Sequence, residues 1–365
     1  MAELIIRTKK IQNNIRFLSD YFSKKNIHWS LITKVFSGDK TFLKTVLTPE
    51  VIQDIDSVGD SRLTSLRNLK AVNPEIRTIY IKPPAKVYAE EIVQYADVSL
   101  NSSFDTIQAL NVAAKNAGKV HQIIIMIELG ELREGVNRSD LMGFYQKIFE
   151  LPHIEVIGLG SNLGCMYGII PSYDKLLQLV LYKELISAKF NKNLPFISGG
   201  SSITLPLLEQ GTVPKEVNHF RIGEAAFFGI SPYDNKKMEG LAVDTFEFRA
   251  NIIELEEKEI VPDGIMGDGN VGHTALYSDK DAGNQSTKAI LDFGMLDVDK
   301  SDIDAIHEDL RFVGITSDML VVDLGENKAE NGQQKYKVGD QIAFKPSYMA
   351  VARLLNSKFI DKVFE

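Results

Sequence analysis

Between residues 28 and 230 short apolar runs of strand length alternate with segments at helical spacing, and the alternation repeats eight times. The strand candidates are 29–33, 54–58, 77–82, 97–100, 122–128, 155–161, 195–198 and 219–222. The intervening segments repeat apolar residues on one helix face, as in Leu63, Leu66 and Leu69, or Leu176, Leu177, Val180 and Leu181. Eight β-α units predict an α/β fold, a closed (β/α)8 barrel of the TIM type, whose functional residues gather at the C-terminal ends of the strands. An open doubly wound sheet would carry a G-x-G-x-x-G fingerprint after its first strand. The residues after Thr33 are instead Lys34-Val-Phe-Ser-Gly38.

The barrel pattern is flanked by different material. Residues 3–6 read as a lone strand, and Thr8 is expected to cap a helix with Ile11, Ile15, Leu18 and Phe22 along one face. From about Glu239 helical spacing nearly disappears. Strand candidates at 245–254, 289–293, 319–324 and 341–344 are separated by polar turns such as Pro262-Asp263-Gly264 and Glu326-Asn327. The expected organisation is a barrel over 7–238 and a C-terminal, mainly β domain over 239–365 that takes in strand 1–6.

Charge and cysteine content narrow the functional classes. A net charge of −8 argues against a general binder of nucleic acid or anionic membrane, and leaves room for a local basic pocket that takes one phosphate. The single cysteine, Cys165, excludes an intramolecular disulfide framework and suits a reducing compartment. No apolar run approaches the length of a bilayer span, and the N-terminus lacks a signal-type apolar region, so a cytoplasmic protein is expected.

The strand ends carry a consistent set of residues. The first barrel strand runs into Lys34, a position where a desolvated lysine becomes a usable amine nucleophile. The seventh ends in Ser198-Gly-Gly-Ser201-Ser202, whose unobstructed N–H groups and hydroxyls before a helix suit a phosphate. The eighth ends in Arg221-Ile-Gly223-Glu224, and the late strands of such barrels commonly build a phosphate site. A lysine, a phosphate site and a barrel together point to pyridoxal 5'-phosphate bound as a Schiff base. Arg221 is placed to face the pyridine nitrogen, and because a guanidinium only donates, that nitrogen would stay unprotonated.

These residues resemble the fold type III pyridoxal-phosphate enzymes of the alanine racemase superfamily, and within it the alanine/ornithine racemase-like branch. The likeness runs in order through TKVFSGD (33–39), GDSR (59–62), SLNS (99–102), ELGELREGV (128–136), SNLGCMYGIIP (161–171), ISGGSSITLPLL (197–208) and RIGEAAFFG (221–229). It implies racemisation of ornithine, alanine or another small or basic amino acid in a homodimer whose active sites are shared between subunits. By position it makes Lys34 the Schiff-base lysine and the base for one face of Cα, and Arg133 the arginine near the cofactor's phenolic oxygen and the substrate. Asn162 falls where alanine racemases have a histidine against the ring. Ser201, Ser202, Gly223, Glu224 and Tyr348 fall at cofactor positions, and Arg221 at the pyridine nitrogen. Asp297 and Asp318 fall where residues line the substrate entrance, so that a carboxylate there would receive the side-chain amine of ornithine or lysine. No metal is implied.

The departures from the superfamily bear on mechanism. Met126 stands where alanine racemases carry a carbamylated lysine, Met295 where they carry the tyrosine that is the second base, and Gly38 where a tyrosine meets the phosphate. The second base is therefore open, with Cys165, His273 and Tyr277 as candidates. Two alternatives accompany the racemase reading. A cofactor-binding protein without catalysis is disfavoured by the β domain. Another reaction on the same scaffold is disfavoured by Arg221, where decarboxylases prefer an acidic partner, and by the absence of a C-terminal His/Cys metal pair.

Overall fold

The computed structural model describes residues 1–265, 273–274, 281–307, 310–329 and 331–365. Strand β1, Glu3–Ile6, precedes eight parallel strands that close a barrel. These are β2 (His28–Ile32), β3 (Ser57–Asp60), β4 (Thr78–Tyr80), β5 (Val98–Asn101), β6 (His121–Met126), β7 (Ile154–Gly160), β8 (Phe196–Ser201) and β9 (His219–Ile222). Closure is made by β2 against β9, with Ser30 opposite Arg221 and Leu31 opposite Ile222. All eight expected strands are present, and in parallel order, because helices at the predicted spacing return the chain after each strand. Ile79, Val98, Leu100, Ile124, Met126 and Ile157 pack as one buried apolar cluster on the β4–β7 side, so Met126 is a core residue.

The helix Thr8–Ser23 buries Ile11, Ile15, Leu18 and Phe22, the face its spacing predicts. Thr8 does not cap it. The helix begins at Thr8 itself, whose N–H donates to the Glu365 carbonyl at 2.8 Å, and its hydroxyl is buried without a partner. Phe22 stacks on Trp29 with centroids 5.6 Å apart, which seats this helix beside the start of β2.

The chain divides into two compact units. Residues 9–243 form the barrel unit, and residues 1–8 with 244–365 form the second. In the second unit the long strand β10 (Phe246–Glu259) is followed by β11 (His273–Thr274), β12 (Gln285–Leu291), β13 (Ile303–Ala305) and β14 (Arg311–Ile315). Then come β15 (Leu320–Asp323), β16 (Gln341–Pro346), the helix Tyr348–Asn356 and β17 (Asp361–Phe364). Among the described residues these strands and β1 make a nine-stranded sheet in the order β11-β14-β15-β12-β10-β1-β17, with β16 on β10 and β13 on β16. β1 pairs antiparallel to β10 and parallel to β17, so the first residues of the chain are built into the C-terminal sheet. Phe246, Phe248, Ala250 and Ile252 alternate inward along β10, and Phe248 meets Phe293 edge-on at 4.8 Å.

Two buried features shape the upper rim of the barrel. Phe36, Phe42 and Phe227 form an aromatic cluster under the turn after β2, with Phe36–Phe42 centroids 3.4 Å apart and Phe36–Phe227 at 4.6 Å. Phe227 is fully buried, so Phe227→Ala removes a large ring from a closed site and is expected to lower stability by about 3–5 kcal/mol, read from urea unfolding midpoints. Asp60 ends β3 with no exposed surface; its Oδ1 accepts the Arg62 N–H at 2.9 Å, and burial pushes its pKa up to about 6. A carboxyl raised in the fold keeps its proton longer than in the unfolded chain, so stability falls as pH rises from the unfolded value toward 6. Asp60→Asn should abolish that component: the stability difference, variant minus wild type, should grow by about 3 kcal/mol between about pH 4 and pH 7. A difference that is flat with pH in urea titrations would reject the assignment.

Candidate active site

Strand β2 stops at Ile32, and the chain turns at once into a 3-10 turn, Lys34–Phe36. Thr33 secures this turn to β3: its N–H and hydroxyl both donate to the Gly59 carbonyl, at 2.8 and 3.2 Å. Lys34 is exposed rather than desolvated at a strand end, because the turn lifts it clear of the apolar layer that Val35 and Phe36 join. Gly38 follows at φ 73°, and a Cβ there would lie 2.7 Å from the Ser65 Cα on the helix Leu63–Val72. No side chain, tyrosine included, fits that position.

Glu224 opens the helix Glu224–Phe228 directly after β9. Burial raises its carboxyl pKa while the charge of Lys34 works in the opposite direction, so the two side chains share one region of the rim. The Ser202 hydroxyl, buried just beyond β8, accepts the N–H groups of Gly223 at 3.3 Å and Ala225 at 3.2 Å. Ser201, the last residue of β8, stands opposite Arg221 in register. The ends of β8 and β9 are thereby tied into one cradle of hydroxyl and N–H donors.

Arg221 lies at the floor of this cradle. Its Nη1 donates to the Ser198 hydroxyl and its Nη2 to the Ser161 carbonyl at 2.8 Å. It is 5 % exposed, and among the described residues no carboxylate lies within salt-bridge distance of it. Burial draws its pKa down to about 10, with Glu134 acting to raise it and Arg133 to lower it. The Ser161 hydroxyl beside it and the Asn101 amide oxygen are buried without a partner.

A second group of residues comes from the loops after β6 and β7. Val136 returns beside β6, donating to the Met126 carbonyl at 2.8 Å. Gly135 sits at φ 144°, and a Cβ there would run into the backbone nitrogen of Glu128, so the loop closes only with glycine. Inside it Arg133 is gripped by Glu134, through Nε and through Nη2 at 2.6 Å. With the Asn162 amide oxygen turned toward it, that oxygen accepts from Nη2 at 2.5 Å and Nη1 at 3.3 Å. Arg133 Nη1 also lies 2.6 Å from the Cys165 sulfur. Cys165 is exposed, not the small core residue its type suggests. Its loop is shaped by buried Glu131, whose carboxylate accepts the N–H groups of Cys165, Met166, Tyr167 and Ile169 at 2.7–3.1 Å. Burial works to raise the Glu131 pKa, and these four donors hold it below the usual range.

The barrel unit thus brings together Lys34, Arg133, Asn162, Cys165, Ser201, Ser202, Arg221, Gly223 and Glu224. Five further expected residues fall in the β unit's part of the chain. Tyr348 begins the helix Tyr348–Asn356, capped by Ser347 through Ala350 N–H at 3.2 Å. The Asp297 carboxylate is engaged by the Ser357 hydroxyl, which follows the helix Tyr348–Asn356, at 2.9 Å and by the Gly294 N–H of its own turn at 3.3 Å. Asp318 is exposed and accepts the hydroxyls of Thr316 and Ser317, at 3.4 and 3.2 Å. His273 pairs through its backbone with Ile315 in β14; its side chain, and Tyr277 altogether, lie outside the described residues. Sequence reasoning assigned no role to Glu131 and Glu134, although both lie inside the ELGELREGV segment. Their carboxylates act on neighbours that only the fold identifies.

Residues 6–232 match the family model of the alanine racemase N-terminal domain. The chain is 33% identical over 361 residues to the ornithine racemase of Acetoanaerobium sticklandii, covering 99% of this chain and 98% of that one. It is 28% identical over 362 residues to the lysine racemase of Thermotoga maritima, with the same coverage of each chain. The alanine racemase of Bartonella henselae, solved with covalently bound pyridoxal phosphate, superimposes with a TM-score of 0.72 at 16% identity, over 100% of this chain and 99% of that one. A closed barrel ending in a lysine turn and a hydroxyl-lined cradle, joined to an antiparallel sheet unit and matched over nearly the whole length by these relatives, places the chain in the alanine racemase family of amino-acid racemases.

Proposed function

We propose that the rim of the barrel holds pyridoxal 5'-phosphate on Lys34, and that the enzyme inverts Cα of a basic amino acid of the ornithine or lysine kind. The observation that carries the cofactor reading is Arg221: a buried cation without a carboxylate partner is costly unless an acceptor completes it. A neutral pyridine nitrogen is such an acceptor. The Ser161 hydroxyl, in the residue whose carbonyl accepts from Arg221, is buried without a partner and marks the same place as polar and incomplete. The basic substrate rests on the two full-length relatives, one an ornithine and the other a lysine racemase.

When bound, the cofactor draws electron density from the bonds at Cα and makes its proton labile. Lys34 supplies the amine to which the cofactor is joined and then carries the proton on one face of Cα. Ser201, Ser202 and the N–H groups of Gly223 and Glu224 would hold the phosphate. Arg221, which has only hydrogens to give, would donate to the ring nitrogen and keep it unprotonated, so that the ring would supply a weaker electron sink. Arg133, fixed as a fork by Glu134 and Asn162, is set for the phenolic oxygen and the substrate carboxylate. On the opposite face Cys165 is the proton carrier we favour, because its exposed sulfur lies 2.6 Å from Arg133 Nη1, beside the fork set for the substrate. His273 is the second candidate. Asp318, exposed and met by the Thr316 and Ser317 hydroxyls, suits a side-chain ammonium better than Asp297, whose carboxylate Ser357 and Gly294 already engage. The working form is a homodimer. One cysteine, and no helix among the described residues long and apolar enough to cross a membrane, fit a reducing cytoplasm.

Incubation in D₂O with both enantiomers of ornithine, lysine, alanine and serine tests the substrate. Deuterium should enter Cα with inversion, and kcat/KM for ornithine or lysine should exceed that for alanine by at least about tenfold. A preference for alanine would overturn the basic-substrate reading. Lys34→Ala should retain less than about one thousandth of the activity and show no visible absorbance from bound cofactor. Cys165→Ala should still exchange the proton of one enantiomer, while inversion falls by about 100-fold. Undiminished inversion would remove Cys165 and move the role to His273.

A further inference from the structure

Behind Arg221 runs a file of buried side chains that the catalytic assignment leaves unused. The Ser198 hydroxyl, which accepts from Arg221 Nη1, lies 2.8 Å from Nδ1 of His219. Nε2 of His219 lies 3.0 Å from the Ser30 hydroxyl, which lies 2.7 Å from that of Ser57. The four residues Ser57, Ser30, His219 and Ser198 come from β3, β2, β9 and β8, and none is more than 3 % exposed.

We propose that His219, as the neutral Nε2–H tautomer, is a positioning residue for Arg221 that acts through Ser198. The direction of the chain follows from its end. A guanidinium has only hydrogens to give, so Ser198 must accept from Arg221. Ser198 then has one hydrogen of its own, and His219 Nδ1 is the acceptor within reach. That leaves Nε2–H to donate to Ser30, and Ser30 to donate to Ser57. The reverse polarity would aim two donors, one charged, at the Ser198 oxygen and strand its hydroxyl hydrogen at a site with 0 % exposure. In the forward polarity the unfilled donor falls on Ser57, at the opposite end of the file where β3 begins. Burial, followed by the charges of Arg221, His28 and Arg77, holds the His219 pKa well below the ordinary imidazole value, which keeps the ring neutral. A protonated ring would present N–H to Ser198 and turn that hydroxyl away. The file therefore locks one guanidinium arm, while the Ser161 carbonyl holds the other at 2.8 Å.

That the guanidinium faces a cofactor ring rests on the function proposed above; the file itself does not. The first test needs no cofactor. In the [15N]histidine-labelled chain, the His219 resonances, identified by their loss in His219→Asn, should show a protonated Nε2 and an acceptor Nδ1. They should stay unchanged from about pH 5.5 to about pH 9. An Nδ1–H tautomer, or titration near the ordinary imidazole value, would overturn the proposal whether or not any variant binds cofactor or turns over. The second test uses the loaded enzyme. Asn carries its amide oxygen where His carries Nδ1, whereas Gln places its amide near Nε2. His219→Gln should therefore lower kcat about tenfold with KM within about twofold, and His219→Asn should keep most of what His219→Gln loses. In a Ser198→Ala background, His219→Gln should have no further effect, because the hydroxyl through which it acts is gone. Independent effects of the two substitutions on kcat would reject the relay. Visible absorbance from bound cofactor, recorded in parallel, reports separately on the cofactor reading.

Discussion

One buried positive charge organises the barrel unit. Arg221 sits where β9 completes the closure against β2, with its guanidinium turned among strand ends instead of into water. Placing a cation there requires neutral oxygens aimed at it from several directions, and the fold supplies them from Ser198 on β8 and from Ser161 just past β7. This requirement explains why one side of the barrel interior is polar while the β4–β7 side carries Ile79, Val98, Leu100, Ile124, Met126 and Ile157.

A second set of constraints places the loops above that floor. The loop after β6 folds back through the Val136–Met126 hydrogen bond and presents Arg133 and Glu134 as a fork already closed on itself. The loop after β7 wraps around the Glu131 carboxylate, which satisfies four backbone N–H groups that no secondary structure serves. The two loops depend on each other: Glu131 of one fixes the backbone that carries Cys165, and Cys165 of the other lies against Arg133. Positioning of this kind, by side chains that are themselves held, is what a proton-transfer site needs, since small displacements of the reacting groups cost rate steeply.

Much of this was legible in the residues. The barrel strands announced themselves as apolar runs at regular spacing, and the glycine-serine and Arg-Ile-Gly-Glu strand ends stood out because their composition serves no apolar layer. The C-terminal unit was legible as β but not in detail. β14, with Gly314 inside it, and β17, which pairs in parallel with a strand more than 350 residues earlier, carry almost no local signal. Lys34 was located by its place after β2, yet its exposure is set by the 3-10 turn that follows, a feature of backbone geometry and not of periodicity.

What the sequence by itself determined is the order of the elements, the barrel class and the residue types at the strand ends, because periodicity and glycine placement are local and survive reading one residue at a time. Which side chains meet was decided by the tertiary structure alone. Nothing in the order of residues says that Ser57, Ser30, His219, Ser198 and Arg221 form one file, since barrel closure brings together residues up to 189 apart in a single hydrogen bond. The same holds for Glu131 beneath the Cys165 loop. A carboxylate in sequence is only a charge; its role follows from the donors that surround it once the chain is folded.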